Sequence, residues 1–197
     1  MLLFFLILCV GCSSTSKEVA TISVNSDSDY TNTFQNLNLG LLYDFNFKLN
    51  QADERWVKLW VEKYNNGKKE SQPLTELYYG NNPQEVEEGN LGFGIINTDS
   101  DDYLVFLYGP GVSMRPSYIV RESSSGIISS SHTFNQDDDI HLELDETKIL
   151  AAYNETENSV ASSVGLQDEE AVKKLIEEGN MVLLLKIRIE DKTTNHN

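Results

Sequence analysis

The sequence predicts a mainly β domain: an antiparallel β-sandwich, or an open barrel, with one C-terminal helix before the last strand. Three observations carry this. Short runs rich in Val, Ile, Leu, Tyr, Phe and Trp recur along the chain, several with apolar residues at every second position. Clusters of Gly, Pro, Asn, Asp and Ser separate them, which favours antiparallel hairpins over a doubly wound sheet. Only one segment, near the C-terminus, has the 3.6-residue spacing of an amphipathic helix with matching end signals.

The first run is Leu37 to Leu49. Leu41, Tyr43, Phe45, Phe47 and Leu49 alternate with Asp44, Asn46 and Lys48, the pattern of a half-buried strand. The second is Arg55 to Tyr64, ended by Asn65-Asn66-Gly67-Lys68. Trp56, Trp60 and Tyr64 also fall at i, i+4 and i+8 behind Asp53, so a capped helix competes here. The strand is preferred, because Trp, Val and Tyr favour the pleat and Asn-Gly makes a tight hairpin turn. Val57, Leu59 and Val61 then face one side, and Trp56, Trp60 and Tyr64 the other.

Further strands are expected at Leu74 to Tyr79, Leu91 to Asn97, Tyr103 to Tyr108, Ser117 to Glu122, Gly126 to Phe134, Ile140 to Leu144 and Lys148 to Tyr153. Their separators are turn-formers such as Gly80-Asn81-Asn82-Pro83, Gly109-Pro110-Gly111 and Asp137-Asp138-Asp139. The helix opens at Asp168-Glu169-Glu170, acids suited to the positive end of its dipole. Ala171, Val172, Leu175 and Ile176 form its apolar face, and Gly179 fits a left-handed C-cap. Met181 to Ile189 is the last strand, and residues 191–197 read as a frayed tail.

At 197 residues the chain is long enough for one domain, placed at residues 31–190. With 31 acidic against 15 basic residues the net charge is −16, which repels phosphate backbones and argues against nucleic acid as a partner. Hydrophobic residues at 40% exclude wholesale disorder. Residues 12–30 are rich in Ser, Thr, Asn and Asp and read as a tether, with a short strand conceivable at Ala20 to Val24.

Met1 to Gly11 is an uncharged apolar run, too short to span a bilayer, which takes about 20 apolar residues. It is followed by Gly11-Cys12-Ser13-Ser14. This apolar run, small residue and Cys resemble the lipobox of bacterial lipoproteins. The position three before the acceptor is Cys9, with Leu8 one further back, and no Lys or Arg follows Met1. The resemblance covers about a dozen residues. It implies cleavage after residues 1–11, diacylglycerol on the sulfur of Cys12 and anchoring to the extracytoplasmic face of the cell membrane. Cys9 and Cys12 are the only cysteines, so such a mature chain would hold neither a free thiol nor a disulfide.

Catalytic motifs are faint. There is no Walker A sequence, and Gly92-Phe93-Gly94 runs into Ile95-Ile96-Asn97 rather than a dinucleotide fingerprint. Ser113 lacks the second Gly of a nucleophile elbow. Asn97 to Asp102 starts like a calcium loop but has Asp102 where Gly is needed and Tyr108 where a bidentate Glu is needed. His132 and His141 flank an acidic turn and could meet across a hairpin, although two solvated strand residues is the preferred reading. His196 lies on the tail, so no metal site and no cofactor is expected.

The remaining candidate is the face of Trp56, Trp60 and Tyr64. An exposed aromatic row can stack on sugar rings or anchor a protein, although burial of at least one Trp is favoured by its large area. Three functional readings follow. The first is a lipid-anchored, non-enzymatic binding module of the bacterial envelope, with a glycan or an envelope protein as partner. The second is an envelope hydrolase using paired carboxylates near Asp137 or Asp99. The third is an assembly partner of another envelope protein.

Overall fold

A computed structural model describes residues 18–98, 102–120, 127–133, 138–157 and 165–192. In chain order the elements are β1 (Ala20–Val24), α1 (Asp29–Asn36), β2 (Gly40–Asn50), β3 (Arg55–Asn65), β4 (Lys68–Lys69), β5 (Thr75–Gly80) and β6 (Val86–Asn97). They continue with β7 (Tyr103–Gly109), β8 (Val112–Ser113), β9 (Ser117–Ile119), β10 (Ile127–His132), β11 (Ile140–Leu142), β12 (Thr147–Thr156), α2 (Glu169–Glu178) and β13 (Met181–Asp191).

The strands form two antiparallel sheets stacked as a sandwich. One runs β11-β1-β2-β6-β7, with β8 and β9 both on β7. The other runs β10-β12-β13-β3, with β4 and β5 both on β3. Alternation decides which side of each strand enters the core. From the first sheet Tyr43, Phe45, Leu91, Phe93, Val105 and Leu107 point inward. From the second Val57, Leu59, Val61, Leu183, Leu185 and Ile187 meet them. Each fully buried side chain of this size contributes about 2–3 kcal/mol against conformational entropy. β12 breaks its alternation at Leu150: Ile149 pairs with Lys186 and Ala151 with Leu185, leaving Leu150 as the extra residue of a bulge.

The predicted hairpin after β3 is present. Asn66 and Gly67 have φ of 47° and 78°, as a tight turn matched to the strand twist requires. Arg55, 6% exposed, pins the preceding corner. Its guanidinium donates to the carbonyls of Val19 (2.8 Å) and Asn50 (2.7 Å) and to Gln51 Oε1 (2.9 Å). Burial of the charged head is offset by these three acceptors.

Four expectations are corrected. The tether does not extend to Tyr30, because β1 is an interior strand between β11 and β2, with Ala20 and Ile22 fully buried. The short strand conceivable at Ala20 to Val24 is present with those bounds and carries two inward residues over five positions. A second helix, α1, follows; its apolar content is small, and it is started by Ser28, whose side chain accepts from the Thr31 amide at 3.1 Å. Gly179 is not left-handed: its φ is −83°. Glycine is needed there for close approach, since a Cβ would lie 2.5 Å from Asn154 Oδ1. The tail begins later than Asp191, which is the last residue of β13, and Lys192 still donates its amide to the Glu54 carbonyl at 2.8 Å.

α2 lies over the outer face of the second sheet. Val172 and Leu175 pack with Leu166 on Ala152, Val182 and Leu184. Asp168 caps it, accepting from the amides of Glu170 and Ala171. No helix among the described residues is long and apolar enough to cross a membrane.

Candidate functional site

The two outer faces are finished in different ways. On the second sheet, β3 presents Trp56, Lys58, Trp60, Glu62 and Tyr64 on one side, as the alternation requires. Glu62, 7% exposed, is the hub. It accepts from Lys186 Nζ (2.9 Å), Tyr64 OH (2.7 Å) and Trp60 Nε1 (3.3 Å), and pairs with Lys69 Nζ at 2.6 Å. Burial disfavours its charge, but the bonds from Lys69, Lys186 and Tyr64 outweigh that and hold its carboxyl at about 2. The same carboxylate, after burial, pushes the Tyr64 phenol well above its ordinary range.

Trp60 is 9% exposed. Lys58 Nζ sits 5.6 Å from its ring centroid and also pairs with Glu76 at 3.0 Å. Trp56 stacks on Tyr78, with centroids 5.0 Å apart and planes 6° from parallel, and it lies against Gly80, where a Cβ would be 2.9 Å from the indole. Tyr64 packs against the cluster under α2. The three aromatics therefore share a face, but they do not form a free row. Charged side chains from β4, β5 and β13 bridge over the gaps between them, and Trp56 and Tyr64 at the two ends stay half-buried.

The first sheet presents a different surface. On β6, Gly92 and Gly94 face outward opposite Tyr108 and Phe106 of β7. The rings lie across the glycines: a Cβ at Gly92 would be 2.5 Å from the Tyr108 hydroxyl, and one at Gly94 would run into the Phe106 ring. Glycine costs strand stability, and a cross-strand aromatic covering it restores contact. α1 stands beside this floor. Phe34 meets Phe106 and Tyr30 meets Tyr108, each pair with centroids 6.0 Å apart. Between α1 and the β7–β8 hairpin a groove of about 420 Å³ remains, lined by these four rings and by Leu42, Thr33, Val112 and Ser113.

Asp44 locks the groove to the sheet. Its carboxylate is 2% exposed and faces outward from β2. Oδ1 accepts from Tyr108 OH at 2.7 Å. Oδ2 accepts from Asn90 Nδ2 (2.8 Å), from Asn25 Nδ2 (3.0 Å) and from the Ser28 hydroxyl. Ser28 thus caps α1 and ties it to the sheet at once. Burial together with the Asp44 carboxylate drives the Tyr108 phenol far up, so it stays protonated and donating.

Other candidates fall apart or outside. Cys9, Cys12, Asp99, Asp137 and His196 lie outside the described residues. His132 and His141 do not meet across a hairpin. His132 is on β10 in the second sheet, edge-on to Tyr43 and Phe45, while His141 is on β11 in the first sheet and pairs with Glu18. The two strands belong to different sheets, which neighbouring hydrophobic runs do not reveal. No group of three or more His, Cys, Asp or Glu among the described residues is arranged to hold a metal ion. The groove was not anticipated. Its trace in the sequence is the pairing of Gly92-Phe93-Gly94 with Phe106-Leu107-Tyr108, two runs of matched spacing.

No protein-family profile matches the chain, and no solved structure matches it. It is similar in part to a protein nucleotidyltransferase YdiU of Clostridium botulinum (strain Eklund 17B / Type B), with 36% identity over 67 residues. That stretch is 34% of this chain and 14% of the clostridial protein, so the chain matches a minor part of that protein.

Proposed function

We propose that the protein is a lipid-anchored binding module on the extracytoplasmic face of a bacterial cell membrane, held there through Cys12. The observation that carries the binding reading is the contrast between spent carboxylates and an open aromatic groove. Asp44 and Glu62 are saturated by hydrogen bonds on opposite outer faces. Glu155, 5% exposed, accepts from Tyr103 OH (3.0 Å) and Tyr153 OH (2.6 Å) between the sheets. Paired-carboxylate hydrolysis needs two such groups facing one cleft about 5–10 Å apart. These three are on different surfaces and each serves the fold; Glu87, also buried, accepts from Asn82 Nδ2 at 2.7 Å on the first sheet, and Asp99 and Asp137 lie outside the described residues. Nucleotidyl transfer, the activity named for the clostridial protein, calls for cationic groups around phosphates. Among the described residues the groove lining carries no Lys or Arg.

The anchor rests on the lipobox-like Gly11-Cys12 and on chain chemistry: one acyl chain binds reversibly, whereas several hold firmly at roughly 0.8 kcal/mol per buried CH₂. The test is expression with labelled palmitate, followed by detergent phase partition. Wild type should incorporate label and enter the detergent phase, and Cys12→Ala should do neither. Wild type that stays unlabelled in the aqueous phase overturns the anchor.

A further inference from the structure

We infer that the groove between α1 and the β7–β8 hairpin is a binding site for a small, non-anionic, planar ring compound. The inference rests on the binding-module reading and supplies its site and ligand class. Three observations converge. The first is size: about 420 Å³ lies within the range of small-molecule pockets and is short for a docked helix or strand. The second is charge. The chain carries −16 overall, yet no Asp, Glu, Lys or Arg among the described residues lines the groove. The surrounding field repels anions, and the lining offers a carboxylate or phosphate no cationic partner, so an anionic guest is excluded.

The third observation is shape. Phe34, Phe106, Tyr108 and Tyr30 form a continuous run of rings spaced 6.0 Å apart, with interplanar angles of 41°, 31° and 78°. Such contacts leave ring faces and edges turned toward the opening, the surfaces on which another ring packs in offset or edge-on geometry. The site is also preorganised. The floor is held by glycines under Phe106 and Tyr108, and the α1 wall by the Ser28–Asp44 bond. Tyr30 stays 55% exposed despite its contact with Tyr108, so one wall of the groove is an aromatic side chain that the fold itself leaves half unused. Thr33 and Ser113 supply hydroxyls at the rim.

The experiment uses the full chain in detergent, with empty detergent as the blank, and two probes sharing one ring: indole, which is neutral, and indole-3-carboxylate, which is anionic. Saturation-transfer NMR titration should show saturable binding of indole and at least about tenfold weaker binding of the carboxylate. Tyr30→Ala should weaken indole by about tenfold. Thr33→Trp, on the exposed side of α1, should fill the groove and abolish the signal. Should Thr33→Trp prove unfolded by circular dichroism, Tyr30→Ala and the charge comparison decide alone. Absence of saturable indole binding, or equal uptake of both probes unaffected by Tyr30→Ala, overturns the inference. So does a wild-type dimer that takes up no indole and that Thr33→Trp dissolves, since the groove would then be an interface between copies. Palmitate labelling is read separately, so a failed groove and a failed anchor are distinguishable.

Discussion

Glu62→Gln isolates the electrostatics of the second sheet's outer face. Gln keeps the shape but has one acceptor oxygen, so it can accept from the Tyr64 side or from the Trp60 side and not from both; the change removes the charge and one acceptor. In the folded state the carboxyl titrates at about 2, against about 4.5 in the unfolded chain. Its folded value is depressed, so its contribution to stability is complete above about pH 5 and is lost as the pH falls toward 2. A shift of that size has a ceiling of about 3 kcal/mol. Lys69 is half exposed and its pair is screened, while Lys186 is 18% exposed and less so. Discounting for solvent leaves about 2 kcal/mol.

The assay is urea unfolding of wild type and Glu62→Gln in matched buffers from pH 7 to pH 3. Comparing the two chains cancels the titration of all other acids. The variant should be less stable by about 2 kcal/mol at pH 7, and the gap should narrow by about half at pH 3. Added salt should reduce it by less than about 1 kcal/mol, since only the Lys69 pair is well exposed. A gap that stays constant with pH, or a variant as stable as wild type at pH 7, would refute the assignment of Glu62 as a charged hub.

Three further outcomes follow from the packing. Trp60→Ala should cost about 3 kcal/mol in thermal or urea unfolding and remove the blue-shifted part of the emission, whereas Trp56→Ala should cost about 1–2 kcal/mol and remove the quenchable part. Gly94→Ala should cost more than about 2 kcal/mol, because the added methyl displaces the Phe106 ring from the groove floor; Gly111→Ala, with open space around it, should feel only the strain of its φ of 68°. Ser28→Ala should cost about 1–2 kcal/mol and raise amide exchange in α1 well above that of β2, since it removes both the cap and a donor to Asp44. Equal exchange in the two elements would show that α1 is held by its aromatic contacts instead.

Long runs with strict alternation were legible from composition alone. The odd positions from Leu41 to Leu49 all pack inward or against the core, and β3 places Val57, Leu59 and Val61 inward as its spacing requires. Asn66-Gly67 marks its hairpin because few other pairs accept positive φ twice. What stayed hidden depends on partners distant in sequence. The strand at Ala20 to Val24 was conceivable, but its interior place between β2 and β11 was not, and α1 is tied to the sheet because Ser28 and Asp44 meet across 16 residues. Trp60 is covered by Lys58, Glu62 and their partners on β4, β5 and β13, and the pattern of β3 alone says only which side it faces. The glycines of β6 read as a failed phosphate motif until β7 is laid beside them in register.

The charges themselves account for the difference between the two outer faces. On the second sheet, Lys58, Lys69, Lys186 and Arg188 are matched by Glu76, Glu62, Asp145 and Glu190 within 3.5 Å. A surface so paired gains little by meeting a partner, because each ion pair would have to be desolvated for no new contact. On the first sheet the buried Asp44 carboxylate is shielded by neutral donors, and the rings above it pack on the β6 glycines, on each other and on α1. Desolvating that surface costs little and buries aromatic area, the arrangement in which binding energy is available. The Trp-bearing face that composition favours is thus the poorer candidate. The glycine-floored groove is the better one, and the acidity of the rest of the chain restricts what can approach it.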